Sequence, residues 1–366
     1  WFSIEDDHEY WPAYLELLCD PERKGLAKPA ITIDRSTTDL MNRLFDPKDT
    51  ENAQQRKYGL VVGYVQSGKT AHFTGFLAKA ADAGFGLIVV LSGVYNDLRG
   101  QTQARLCKEL TGDLLDEKDH CDLRDVTFSK KWHLATHPGA KGDFHERRDK
   151  HSLEMITDDR PVLVVTKKNV SPLAGLISWF SGLSEEERSR TPLLLIDDEC
   201  DFASINTSAS PANDPSQERD PNAINKHLRE MLDLFQNYAY VGYTASPFAN
   251  VFIHPDGDGT GFPTLYPRDF VISLPRPEGY QGFDSMFPGD GSKSPIRIVE
   301  EKEEDHDPDL EADIVRRWTS DPFRDPSANM SECPALQAAL FDFIISGAIR
   351  RLRGQEEKHH SMLIHT

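Results

Sequence analysis

Gly59-Leu60-Val61-Val62-Gly63-Tyr64-Val65-Gln66-Ser67-Gly68-Lys69-Thr70 is the stretch from which the rest of the chain can be read. A short apolar run, Leu60–Val62, leads into G-x-x-x-x-G-K-T, the spacing of a phosphate-binding loop. Glycines let such a loop curl so that successive backbone N–H groups face phosphate oxygens. The helix that follows adds the positive end of its dipole. Ala71 to Ala83 carries Phe73, Phe76, Leu77 and Ala80 at helical spacing, with Gly84 placed to end the helix. Gly63, Gln66, Ser67, Gly68, Lys69 and Thr70 are therefore the nucleotide-binding candidates. ATP and Mg²⁺ are the expected ligands, with Lys69 on the β/γ-phosphates and Thr70 on the metal.

Outward from this loop, apolar runs alternate with helical patterns. Leu60–Val62, Leu87–Leu91, Val162–Thr166, Leu193–Ile196 and Tyr240–Tyr243 read as strands buried on both faces of a parallel sheet. Lys69–Ala83, Asp97–Leu110, Val170–Phe180 and Ala223–Phe235 read as the helices between them. The expected fold class is α/β, a three-layer lobe with a parallel sheet. Residues 1–50 read as a helical extension, with a short strand at Ala30–Ile33 and Ser36 or Thr37 capping a helix that Pro47 stops. The lobe itself spans 51–253. Residues 254–333 read as an insertion of loops and short strands, rich in Pro and Gly, with Phe270–Leu274 as a candidate strand and Glu300–Asp313 as an acidic linker. Pro334–Arg353 reads as a connecting helix with a basic end, within a 334–354 segment. Ser361–Thr366 looks like the first strand of a further unit, placed at 359–366, and Trp1 in place of Met adds to the expectation of an excised piece.

Two further constellations sit at strand ends. Leu193-Leu194-Leu195-Ile196 runs into Asp197-Asp198-Glu199-Cys200-Asp201. A carboxylate at a strand tip, here Asp198, suits Mg²⁺, and a neighbouring acid, Glu199, suits activation of water. Val241-Gly242-Tyr243 leads into Thr244-Ala245-Ser246-Pro247. Thr244 and Ser246 are placed to hydrogen-bond the acidic motif.

G-K-T, D-E-C-D and T-A-S, in this order, resemble the first RecA-like lobe of superfamily-2 helicases and translocases. With Val90-Leu91-Ser92-Gly93, Leu98-Arg99-Gly100-Gln101-Thr102-Gln103 and Gly242 to Asn250, the chain resembles the Z1-domain ATPases. These are bacterial proteins described as candidate endonucleases and associated with restriction-like, anti-phage gene clusters that also encode MORC-type ATPases. The resemblance implies that Lys69 and Glu199 are catalytic, that Thr70 and Asp198 bind the metal, and that Asp201, Thr244 and Ser246 couple hydrolysis to movement. It places Arg99, Gln101, Lys167, Lys168 and Asn169 where DNA backbone contacts are made. It also implies a second RecA-like lobe whose arginine completes the site, a contribution of roughly 10³ to 10⁵ in rate. The piece by itself is accordingly expected to hydrolyse ATP weakly.

The whole chain sets limits. Its 366 residues carry a net charge of −19, so any DNA contact is confined to a local basic groove on an acidic body. Five scattered cysteines without a C-x-x-C pair suit a reducing, cytoplasmic setting. No apolar run approaches the roughly 18 residues of a membrane span. Glu300–Asp305, the His133/His137 pair and His359-His360 lack the flanking ligands of a nuclease site, which puts any nuclease elsewhere or in a partner. Two rival readings share the same ATP site: a protein-remodelling switch that never moves on nucleic acid, and a P-loop kinase.

Overall fold

The computed structural model describes residues 1–3, 8–20, 27–49, 54–65, 67–111, 132–139, 141–145, 153–202, 204, 221–255, 263–288, 296, 334–356 and 360–363. Gln66, Cys121, Cys333, the acidic run at 300–313, His359 and residues 364–366 lie outside them. The chain divides into two compact units, Trp1–Gly282 and Phe283–Thr366.

The first unit is built on a seven-stranded, all-parallel sheet. Its strands are β1 (Arg56–Val62), β2 (Leu87–Ser92), β3 (His133–Leu134), β4 (Val162–Thr166), β5 (Leu193–Asp198), β6 (Tyr238–Thr244) and β7 (Phe270–Ser273). They lie side by side in the order β3-β4-β2-β5-β6-β1-β7. The period-2 alternation of side chains divides the strands between two cores. Ile88 and Val90, Leu194 and Ile196, and Val241 and Tyr243 enter one. Leu87, Val89 and Leu91, Leu193 and Leu195, and Tyr238 and Tyr240 enter the other. Helices cover both faces: α1 (Tyr10–Cys19), α2 (Ala27–Met41) and α3 (Lys69–Ala83) form one core, and α6 (Val170–Ser181) and α8 (Pro221–Asp233) the other. The architecture is the three-layer α/β lobe expected, consistent with a RecA-like lobe. Between these lie α4 (Asn96–Leu106), α5 (Glu154–Thr157) and α7 (Glu185–Arg190), with α9 (Phe248–Val251) after β6.

The sheet does not stop at residue 253. Strand β7 pairs in parallel with β1, matching Gly59 to Phe270 and Val62 to Ser273. A Cβ on Gly59 would fall inside the Phe270 ring, so the close approach of this edge strand requires glycine there.

The N-terminal segment corrects two readings. Ala30–Ile33 is helical, inside α2, and Ser36 and Thr37 lie in that helix's interior. Their hydroxyls donate back to the carbonyls of Thr32 and Ile33, at 2.7 and 2.6 Å, and cap nothing. The β-branched run Ile31-Thr32-Ile33 favours a strand locally, but Ala30, Ile33, Leu40 and Met41 fall on one helical face that is buried in the core α3 shares. Packing overrides propensity. This cover explains why α3 is apolar or small nearly all round: His72 to Ala81 is buried without a break. Asp82, on the same helix, accepts from the backbone N–H groups of Glu9, Tyr10 and Trp11 and so caps α1 from outside its own sequence.

The second unit contains α10 (Phe283–Met286) and α11 (Pro334–Leu352). His360 stacks on Phe343 of α11 with centroids 4.2 Å apart, and its Nε2 lies 3.0 Å from the Phe343 carbonyl. No described helix is long and apolar enough to cross a membrane.

Candidate functional site

Parallel strands bring all the polar motifs to one edge of the sheet, beyond the strand carboxyl ends. The loop after β1 leads into α3, and Gly68, at the N-cap, has φ 89, a left-handed turn natural to glycine. The Gly63 N–H donates to the Thr244 carbonyl at 2.9 Å, which fastens the loop entrance to β6. Lys69 folds back, its ammonium donating to the Tyr64 carbonyl inside its own loop at 3.1 Å. Ser67 has a buried hydroxyl with no partner among the described residues. A segment after β7 crosses the same loop: the Tyr280 hydroxyl donates to the Val65 carbonyl at 2.8 Å, and its ring lies against Tyr64. Nothing in the sequence pattern pointed to Tyr280, since its partner lies 215 residues earlier.

Strand β6 separates β1 from β5, and this sets the geometry of the acids. Asp198 stands at the end of β5, opposite Tyr243 in register. Burial pushes its carboxyl up to about 6, against the pull of Lys168 and Lys69 and with the help of Glu199. A carboxylate desolvated beside a phosphate loop, with the Thr70 hydroxyl on the adjoining helix, offers hard oxygen donors. Mg²⁺ retains several waters and needs only one or two protein oxygens. Thr70 and Asp198 therefore fit it, although no group of three or more His, Cys, Asp and Glu side chains suited to a metal occurs among the described residues.

Glu199 is exposed and holds φ 53, left-handed for a non-glycine residue. The turn it opens is tied on several sides. The Phe202 N–H donates to the Glu199 carbonyl at 2.9 Å, and the Cys200 N–H to the Tyr243 carbonyl at 3.1 Å. Cys200 is fully buried against Gly242, where a Cβ would lie 2.7 Å from its Sγ. The Thr244 hydroxyl donates to Asp201 at 2.6 Å, and the Ser246 N–H donates to that same hydroxyl oxygen at 2.8 Å. Thr244 thus meets the acidic motif through its side chain. Ser246 enters the network by its backbone, and its side chain is exposed.

The DNA-contact candidates divide, and two are corrected. Arg99 is fully buried: its guanidinium donates to the carbonyls of His137, Pro138 and Gly139 at 3.0, 3.2 and 2.9 Å. These three donations hold one loop. Lys168 is also fully buried. It pairs with Asp197 at 2.8 Å and donates to the carbonyls of Glu199 and Phe202. Neither can reach a phosphate backbone. Lys167 is paired with Asp143 at 3.5 Å, Asn169 is buried with an Oδ1 that has no partner among the described residues, and Gln101 is exposed on α4. The sequence signal for the Lys168 site was the additional acid, Asp197, ahead of D-E-C-D. His133 is hydrogen-bonded to Asp158 at 2.8 Å.

A family model, the Z1 domain, matches residues 335–366, the stretch that holds most of α11 and the residues after it. No curated protein matches the chain.

Proposed function

We propose that this chain is the ATP-binding and hydrolysing lobe of a superfamily-2 helicase- or translocase-like ATPase, acting on DNA in a bacterial anti-phage or restriction-like system. The observation that carries the reading is the placement of Lys69, Asp198, Glu199 and Thr244 at one sheet edge, with β6 between the loop strand and the acidic strand. The Z1-domain match at residues 335–366 supports the family resemblance from which the defence context is drawn.

Loop N–H groups bind the phosphates, and Lys69 exchanges the Tyr64 carbonyl for the β/γ oxygens. Thr70 and Asp198 would hold Mg²⁺, which when bound would supply positive charge against that developing on the phosphates. Glu199, exposed at the strand tip, orients a water and accepts its proton. Asp201 and Thr244 tie that turn to β6, so a change at the acids reaches the Thr244–Ser246 segment. An arginine from a second RecA-like lobe would complete the reaction. A nuclease or a MORC-type ATPase is the partner that the defence setting suggests.

A second reading, an ATP-driven switch that remodels protein partners without moving on DNA, gains from one observation: burial of Arg99 and Lys168 removes two of the five backbone-contact candidates. Phosphate release by the full-length protein, as wild type, Lys69→Ala and Glu199→Gln, with and without duplex or single-stranded DNA, tests both. The motor reading expects both variants to lose activity and DNA to stimulate the wild type. Equal rates with and without DNA overturn it in favour of the switch. Phosphate transfer to a small acceptor, with none released free, marks a kinase instead.

A further inference from the structure

Lys168 lies beneath the acidic turn and belongs to none of the roles described above. Its side chain is fully buried, and so is Asp197, its ion-pair partner at 2.8 Å. The second oxygen of Asp197 accepts from the Tyr240 hydroxyl at 2.7 Å, so the pair sits in a built polar site under the sheet edge. Ion pairs of this kind are poor sources of stability, because desolvation offsets most of the attraction. The Lys168 ammonium donates its hydrogen bonds to the carbonyls of Glu199, at 2.7 Å, and Phe202, at 3.2 Å. These carbonyls bracket the turn in which Glu199 adopts its left-handed backbone. Such a conformation is unfavourable for a residue with a Cβ and persists only where its surroundings enforce it.

The other end of the clamp is tied too. The Lys168 backbone N–H donates to the Gly93 carbonyl at 2.8 Å. Gly93 directly follows β2. Lys168 thus joins the tips of β2, β4 and β5 through one residue.

We propose that Lys168 is a positioning residue for hydrolysis: clamping the Glu199–Phe202 turn from below, it fixes where the Glu199 carboxylate stands. The inference rests on the ATPase reading given above. It assigns Lys168 to the water-activating side of the site, and it requires that Lys168 act through Glu199.

A double-mutant cycle tests it. Lys168→Met alone leaves Asp197 buried and unpaired, so the charge-neutral pair Lys168→Met/Asp197→Asn is used, which keeps the shape and leaves Tyr240 an acceptor. The four proteins are wild type, this pair, Glu199→Gln, and the two combined. Affinity for Mg-ATP, single-turnover hydrolysis and thermal unfolding are measured on each. The expected result is a folded pair that binds Mg-ATP within about threefold of wild type and hydrolyses it about 10²-fold more slowly, the scale of a displaced general base. In the Glu199→Gln background the same pair costs nothing further. A Lys168→Gln/Asp197→Asn protein keeps one donor to the Glu199 carbonyl and recovers part of the rate. Wild-type hydrolysis by the Lys168→Met pair, or a loss that multiplies with that of Glu199→Gln, overturns the inference and leaves the ATPase reading standing. Absence of Mg-ATP binding by wild type, or a Glu199→Gln protein as active as wild type, overturns the ATPase reading and this inference with it.

Discussion

Asp198 should make the folded protein less stable where it is most useful. Its carboxyl ionises at about 6, against an ordinary 3.8, chiefly because burial penalises the charged form. At about 1.36 kcal/mol per pH unit, that rise corresponds to a penalty of up to ~3 kcal/mol for holding Asp198 ionised in the native state. The sign follows from proton linkage. Between about pH 4 and 6 the native protein keeps a proton that the unfolded chain has released, so stability falls as pH rises through this window. Below it both states are protonated and the penalty vanishes. Asp198→Asn replaces the carboxylate by a neutral group of the same shape. It should therefore stabilise the protein at pH 7.5 by up to ~3 kcal/mol and change little below about pH 4. Urea unfolding followed through Trp11, Trp132 and Trp179, at a series of pH values for both proteins, isolates the effect, because other carboxylates cancel in the difference. The same substitution should abolish Mg²⁺-dependent nucleotide binding, so the stabilised protein is the inactive one. A variant no more stable than wild type at pH 7.5, or a difference independent of pH, would refute the reasoning that desolvation dominates at Asp198.

Two smaller perturbations follow from named contacts. Thr244→Val removes the donor to Asp201 and the acceptor of the Ser246 N–H; a loss of about 1–3 kcal/mol in chemical denaturation is expected, with Mg-ATP affinity kept and hydrolysis reduced. Asp82→Ala leaves the N–H groups of Glu9, Tyr10 and Trp11 without their shared carboxylate, and should cost about 1–2 kcal/mol while sparing nucleotide binding. Faster hydrogen exchange confined to the start of α1 would identify the cap as the cause.

The buried strands and the strand-to-helix turn at Gly68 were legible because their signals are local. Val162–Thr166 and Lys69–Ala83 occur with the limits that apolar runs and the glycine-lysine spacing imply. The N-terminal helix was misread where local and tertiary preferences disagree: Ile31-Thr32-Ile33 favours a strand, while the face presented to α3 requires a helix. Two of the DNA-contact candidates turn inward for a related reason. Arg99 and Lys168 have the chemistry of phosphate ligands, but whether a long cation reaches solvent depends on carbonyls brought beside it from elsewhere, at 137–139 for one and at 199 and 202 for the other.

The sequence by itself determined the parallel α/β lobe, the loop at 63–70 and the acids at 198 and 199, since each is written in consecutive residues whose spacing matches a backbone geometry. Only the tertiary structure decided that β7 joins the sheet, that Tyr280 crosses the phosphate loop, and that Lys168 faces inward under Glu199. Those outcomes depend on which strand tips become neighbours. A parallel sheet makes neighbours of segments tens to hundreds of residues apart, which no local pattern encodes.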